Sequence, residues 1–258
     1  MNKLYQKLYA QKLFTYHEAN KVIKNKQVCK NTLNRLIKKG YIKRIRKNIY
    51  QIVPLDNKEF QADEIHIATK INPEIIICCN TALKVLGFYK DESKIIYLYY
   101  KNPAKIKIEK TIYKLLKNNQ SFGIIKTNYQ TPYNNIEINI TNIERTIIDC
   151  IKTRSITLQE LINILKNTKI QIDVSKIISY LDKYKKPILY NKTGLILDIT
   201  KQYLKIENEE LEKIRKKLSK KIYYAKEKGL KLIKPKYKYY IKWNIMIPEE
   251  LYTQTNLN

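Results

Sequence analysis

Phe14-Thr15-Tyr16-His17-Glu18 opens, and Gly40-Tyr41-Ile42-Lys43-Arg44-Ile45-Arg46-Lys47-Asn48-Ile49-Tyr50-Gln51-Ile52-Val53 closes, the stretch that decides how this chain begins. Thr15 and Glu18 stand in the Thr-x-x-Glu relation of a capping box, in which each side chain satisfies a free N–H at a helix start. Ala19, Val22 and Ile23 then share one helical face, and Lys24-Asn25-Lys26 interrupts the pattern. A second helix is expected from about Val28 to Lys39, because Cys29, Leu33, Leu36 and Ile37 repeat at the spacing of a single buried stripe. Gly40 ends it as a left-handed C′ residue would. Tyr41–Ile45 and Ile49–Val53 alternate as two short strands around the basic tip Arg46-Lys47-Asn48. Two helices, a glycine stop and a basic β-hairpin in that order predict a winged helix-turn-helix over residues 14–53.

If the apolar stripe of the second helix faces inward, Lys30, Asn31, Asn34, Arg35 and Lys38 face outward. Asparagine can bond two atoms of an adenine edge and arginine two of a guanine edge, while lysines suit phosphates. Lys43, Arg44, Arg46, Lys47 and Asn48 on the hairpin extend the same chemistry. The competing reading is an ordinary solvated helix face in a lysine-rich protein.

The chain carries 51 Lys and Arg against 23 Asp and Glu, a formal charge of +28, which favours a polyanionic partner. Its abundance of Lys, Ile, Asn and Tyr also has the stamp of A/T-rich codons. Arginine escapes that bias, and three of the six arginines, Arg35, Arg44 and Arg46, fall within twelve residues.

With 258 residues and 44% hydrophobic content the chain can bury a sizeable core in two domains. No apolar run is long enough to span a membrane, and the N-terminus Met1–Lys7 lacks the apolar region of a signal peptide, so a cytoplasmic location is expected. Cys29, Cys78, Cys79 and Cys150 have no metal-finger spacing and read as reduced, mostly buried thiols. His17 and His66 are the only histidines, and the glycines at 40, 87, 123, 194 and 229 form no phosphate loop. No cofactor or metal is expected.

Beyond Pro54 a polar linker leads to a helix over about Gln61–Lys70, and the run Ile75–Cys79 predicts a buried strand. A short helix is expected over Thr81–Gly87. Ile95–Tyr100, Ile106–Ile108, Phe122–Thr127 and Ile136–Ile140 are expected as strands. Ile143–Lys152, Leu158–Lys166 and Val174–Lys185 are expected as helices. The order defines an α+β class rather than repeating βαβ units. The division predicted is a DNA-binding domain over 1–55, an α+β domain over 56–200, and a closing segment over 201–258 that belongs with the second domain. In that segment Glu207–Gly229 is expected as one helix. Lys231–Tyr240 interleaves lysines with tyrosines, a pattern suited to nucleic acid and equally to a basic edge strand protected from aggregation.

Asn142-Ile143-Glu144-Arg145-Thr146-Ile147-Ile148-Asp149-Cys150 resembles the Glu-Arg-Thr-x-x-Asp-Cys helix of AbiEi-type antitoxins of type IV toxin–antitoxin systems. Gly40–Tyr50 is similar to the end of that family's winged helix. Asn80-Thr81-Ala82-Leu83 through Gly87 is similar to its small-residue helix start, and Tyr240–Asn244 with Pro248-Glu249-Glu250 to its C-terminal motif. The likeness runs along nearly the whole chain; the family's usual wing-tip glycine is here Asn48, one of the residues best able to adopt positive φ. The resemblance implies a non-enzymatic winged-helix autorepressor that binds inverted repeats in its own promoter. It further implies a partner toxin of nucleotidyltransferase type, countered by a route that need not involve a stable complex.

Within the motif, Arg145 and Asp149 stand four apart, the spacing of an i, i+4 ion pair that locks a helix in place. The functional alternative makes Glu144, Arg145 and Asp149 a mark of the surface through which the toxin is suppressed. Two other functions compete with the whole reading. Pro73-Glu74 with Glu92-Ser93-Lys94 loosely imitates the carboxylate pattern of a metal-dependent nuclease, and the second domain has room to act as the sensor of a metabolite-responsive repressor.

Overall fold

The computed structural model describes residues 3–90, 92–225 and 236–254. The fold is mixed α+β, and its contacts separate into two compact units. One comprises Met1–Ile77, Glu92–Asn119 and Lys126–Ile140, and the other comprises Cys78–Asp91, Gln120–Ile125 and Thr141–Asn258.

The first unit opens with α1 (Lys3–Leu8), β1 (Leu13–Thr15), α2 (Tyr16–Ile23), α3 (Lys26–Lys38), β2 (Ile42–Arg46) and β3 (Ile49–Ile52). The three strands form a sheet in the order β1-β3-β2, antiparallel throughout. The capping box predicted at Thr15 and Glu18 is present. The Thr15 hydroxyl accepts the Glu18 N–H at 3.2 Å, and the Glu18 carboxylate accepts the Thr15 N–H at 2.6 Å. Asn25 caps α3 by accepting the Val28 N–H at 2.9 Å. At its other end Gly40, at φ +71°, closes a Schellman motif. The Gly40 N–H reaches the Ile37 carbonyl and the Tyr41 N–H the Leu36 carbonyl, at 2.9 and 3.0 Å.

Cys29, Leu33 and Leu36 are buried in a core shared with Ala19, Phe14, Ile42, Tyr50 and Ile52. Leu4, Tyr5 and Leu8 of α1, an element the sequence pattern did not indicate, join the same core. The Tyr5 hydroxyl donates to the Val53 carbonyl at 3.0 Å.

The rest of the unit is α4 (Glu64–Ile71) and the strands β4 (Ile76–Ile77), β5 (Ile95–Tyr100), β6 (Ala104–Ile108), β7 (Thr111–Lys117), β8 (Ile124–Gln130) and β9 (Asn135–Thr141). They form a six-stranded mixed sheet in the order β6-β7-β5-β4-β9-β8. The long pairing of β5 with β7 is parallel, from Ile95↔Ile112 to Tyr100↔Lys117.

The second unit holds α5 (Cys79–Val85), α6 (Ile143–Thr153), α7 (Leu158–Asn167), α8 (Val174–Tyr184), α9 (Pro187–Leu204) and α10 (Asn208–Arg215). It closes with a small sheet of β10 (Tyr223–Tyr224), β11 (Tyr237–Tyr240) and β12 (Ile245–Pro248), ordered β10-β12-β11, followed by α11 (Glu249–Gln254).

Two expectations are corrected. The strand over Ile75–Cys79 shrinks to Ile76–Ile77, because Cys78 caps α5 and Cys79 already begins it. A short apolar run does not by itself distinguish a strand from a buried helix start. The helix over Glu207–Gly229 stops at Arg215, so Leu218 and Ile222 lie outside it, and residues 226–229 lie outside the described residues. Lys216, Lys217, Lys220 and Lys221 place like charges three to five apart beyond that point, which weakens a continued helix. The basic segment Lys231–Tyr240 is described from Lys236 onward, where Tyr237–Tyr240 forms an edge strand; residues 231–235 lie outside the described residues.

Candidate nucleic-acid interface

All ten residues singled out on α3 and the β2–β3 hairpin are exposed: Lys30, Asn31, Asn34, Arg35, Lys38, Lys43, Arg44, Arg46, Lys47 and Asn48. The inward stripe of α3 fixes that outcome. A helix committed to its core by Cys29, Leu33 and Leu36 has to turn positions 30, 31, 34, 35 and 38 away from it. The hairpin pairs Arg44 with Tyr50 and Arg46 with Ile49, with a register shift between them. Asn48 takes φ +67°, and its carbonyl accepts the Tyr16 N–H at 2.9 Å. The tip is therefore tied to the first turn of α2.

Two of the ten already have side-chain partners. Lys43 pairs with Glu109, and Asn31 accepts a hydrogen bond from Gln27 at 3.2 Å. Both contacts are exposed and so are cheaply exchanged. From Lys3 to Lys47 fourteen basic residues stand against one acid, Glu18. Burial works against ionising that acid, but Lys70 at 2.5 Å and the Thr15 N–H outweigh it and hold the carboxyl below its ordinary range. Its charge is thus spent locally. A cleft of about 550 Å³ beside the hairpin is lined by Thr15, His17, Glu18, Lys21, Asn48 and Lys70, with Lys70 paired to Glu18.

The first turn of α3 adds groups that the sequence reading passed over. With the helix starting at Lys26 rather than Val28, Lys26 and Gln27 are exposed, and so is Val28, at 51%. Asn25, three residues ahead of Val28, was the available signal, since asparagine is a strong N-cap.

Glu144, Arg145 and Asp149 lie elsewhere, buried within the second unit. Asn142 caps α6 and aligns them by accepting the Arg145 N–H at 3.2 Å. Arg145 Nε lies 3.3 Å from Asp149 Oδ2, with both side chains fully buried. The Arg145 guanidinium donates to the Phe122 and Gln120 carbonyls and sits over the Phe122 ring. Tyr184 donates its hydroxyl to the other Asp149 oxygen; burial first, and the adjacent carboxylate second, push the phenol well above its ordinary range, so it remains a donor. Glu144 accepts the Asp173 N–H at 3.3 Å. Gly123, at φ +61°, packs so closely that an added Cβ would lie 2.9 Å from Asn142 Oδ1 and 3.0 Å from Arg145 Cβ. The three residues thus hold Gln120–Gly123 and α8 onto α6, a locking role rather than a contact surface.

Glu74 pairs with Lys101 and Lys94 with Glu64, so Glu74 and Lys94 of the nuclease-like pattern are held in separate ion pairs. Among the described residues, no group of three or more His, Cys, Asp or Glu is placed to hold a metal ion. The four cysteines are buried and unlinked. No described helix is long and apolar enough to cross a membrane.

No protein-family model matches this chain, and no curated protein matches it.

Proposed function

We propose that the chain is a duplex-DNA-binding regulator whose N-terminal part acts as a winged helix-turn-helix. In this reading α3 enters the major groove and the β2–β3 hairpin is the wing. One observation carries it: the outer face of a helix anchored by Cys29, Leu33 and Leu36 presents Asn31, Asn34 and Arg35, with arginines and lysines from the hairpin. Such a surface combines bidentate base readers with phosphate neutralisers. Val28 supplies an apolar group of the kind that meets a thymine methyl.

The likeness to AbiEi-type antitoxins gives the biological form of the proposal. The chain represses its own operon through inverted repeats and counters a nucleotidyltransferase-like toxin, without itself being an enzyme. Burial of Glu144, Arg145 and Asp149 leaves any suppression to other surfaces of the second unit or to repression itself.

The test compares operator with random duplex. Asn34→Ala and Arg35→Ala are expected to lose discrimination by about 1–3 kcal/mol, as lost bidentate contacts do. Arg46→Ala and Lys47→Ala should weaken both DNAs alike. Identical behaviour of all four variants would refute the assignment of α3 to the groove.

A further inference from the structure

The C-terminal sheet has two unlike faces. Residues paired across a ladder share a face, and neighbours along a strand alternate. Tyr223, Ile245 and Tyr240 form one row, and Tyr224, Met246 and Tyr239 form the next. Ile245 and Ile247 are fully buried beside Trp243, so their side is the inner one. The other side carries Tyr224 and Tyr239, 46% and 44% exposed, flanking Met246 about two strand spacings apart, roughly 10 Å. Tyr237 shares this outer face, its ring 5.1 Å from that of Tyr224 at 82°. Ile222, also exposed, adjoins it.

Of the described lysines beside the sheet, Lys217, Lys238 and Lys242 pair with Asp182, Glu249 and Asp198. Lys220, Lys221 and Lys236 are exposed on the segments that lead into β10 and β11. Duplex DNA keeps its base faces stacked inside the helix. Unstacked bases use both features, with rings for stacking and lysines for the backbone.

We propose that the outer face of the β10-β12-β11 sheet binds single-stranded nucleic acid, stacking bases on Tyr224, Tyr237 and Tyr239 and neutralising phosphates with the surrounding lysines. This site is independent of the duplex-binding surface on α3 and the hairpin.

The full chain is titrated, by fluorescence anisotropy, into a labelled oligothymidylate dodecamer, with phosphatidylserine-rich vesicles as a parallel arm. Tyr224→Ala with Tyr239→Ala is expected to weaken single-strand binding by about tenfold or more, since each stacked base contributes substantially. Tyr224→Phe with Tyr239→Phe should retain it, because the ring and not the hydroxyl does the stacking. The triple variant Arg35→Ala, Arg46→Ala and Lys47→Ala should keep single-strand binding while losing duplex binding. If that triple variant kept duplex binding, the α3 reading would fail and this one would stand. Undiminished binding by the alanine pair would overturn the proposal. So would binding to vesicles with none to the oligonucleotide.

Discussion

The backbone carbonyl of Asn48 accepts the Tyr16 N–H at 2.9 Å while Asn48 itself is held at φ +67°. One residue thus makes the hairpin turn and fastens its tip to the start of α2. The orientation of Arg46 and Lys47 relative to the α3 face depends on that fastening, because both directly precede Asn48 at the hairpin tip. Only a residue tolerant of the left-handed region serves here without strain.

Substitution at that position should follow backbone preference. Asn48→Gly is expected to leave stability within about 0.5 kcal/mol, and Asn48→Ala to lose about 1 kcal/mol, the cost of a left-handed conformation for a residue with a Cβ. Urea unfolding of both variants checks this.

The Arg145–Asp149 pair should be needed for folding of the second unit rather than for any surface contact. Removing either partner leaves a buried charge, so Arg145→Ala or Asp149→Ala should cost about 3–5 kcal/mol. The double variant Arg145→Ala with Asp149→Ala should cost clearly less than the sum of the single changes. Additive losses in a double-mutant cycle would show that the two side chains do not work as a pair.

These two sites were not equally legible in the sequence. Thr15, Glu18, Gly40 and Asn48 announce themselves because capping and turn chemistry act over a few residues. The i, i+4 spacing likewise revealed the Arg145–Asp149 pair. Its partners Phe122 and Tyr184 were hidden, since only the tertiary fold brings them within reach. The longest helix, α9, gave no periodic signal because it is buried nearly all round, including Asn191, Lys192 and Thr193. The strand β7 was missed for a different reason. It follows β6 through a turn at Glu109 and Lys110, with Glu109 at φ +52°, and neither residue type marks a turn.

Gly194 of α9 lies against Trp243, and an added Cβ would stand 2.1 Å from the Trp243 ring. The indole is fully buried and held by its Nε1–H donating to Asp198 at 2.9 Å, so it has little freedom to yield. Gly194→Ala is therefore expected to cost at least about 2 kcal/mol by overpacking, despite alanine's better helix propensity. Thermal unfolding would reveal it, and combination with Trp243→Leu should recover part of the loss.

Acid should weaken the first unit through His66. Tyr133 Oη accepts the Asp63 N–H at 3.1 Å and shares a hydrogen bond with Nδ1 of the buried His66 ring, also at 3.1 Å. Burial, with Lys70 adding to it, lowers the His66 pKa from 6.5 to about 4. The folded pKa is the depressed one, so the stability is complete above pH 6.5. It is lost as pH falls toward 4, where the unfolded chain takes a proton that the folded chain refuses. The loss should reach about 3 kcal/mol. Urea titrations at pH 7.5 and 5 should show this slope in the wild type, and a smaller one in His66→Leu.

The central claim, that α3 and the hairpin grip duplex DNA, is tested most directly by the salt dependence of binding to the DNA upstream of the gene. Each phosphate neutralised contributes about 0.9 to the slope of log K against log salt. At least roughly four phosphates per protomer are expected, and Arg46→Ala with Lys47→Ala should lower that slope by about two such increments. A flat salt response, or a slope that these substitutions leave unchanged, would contradict the account.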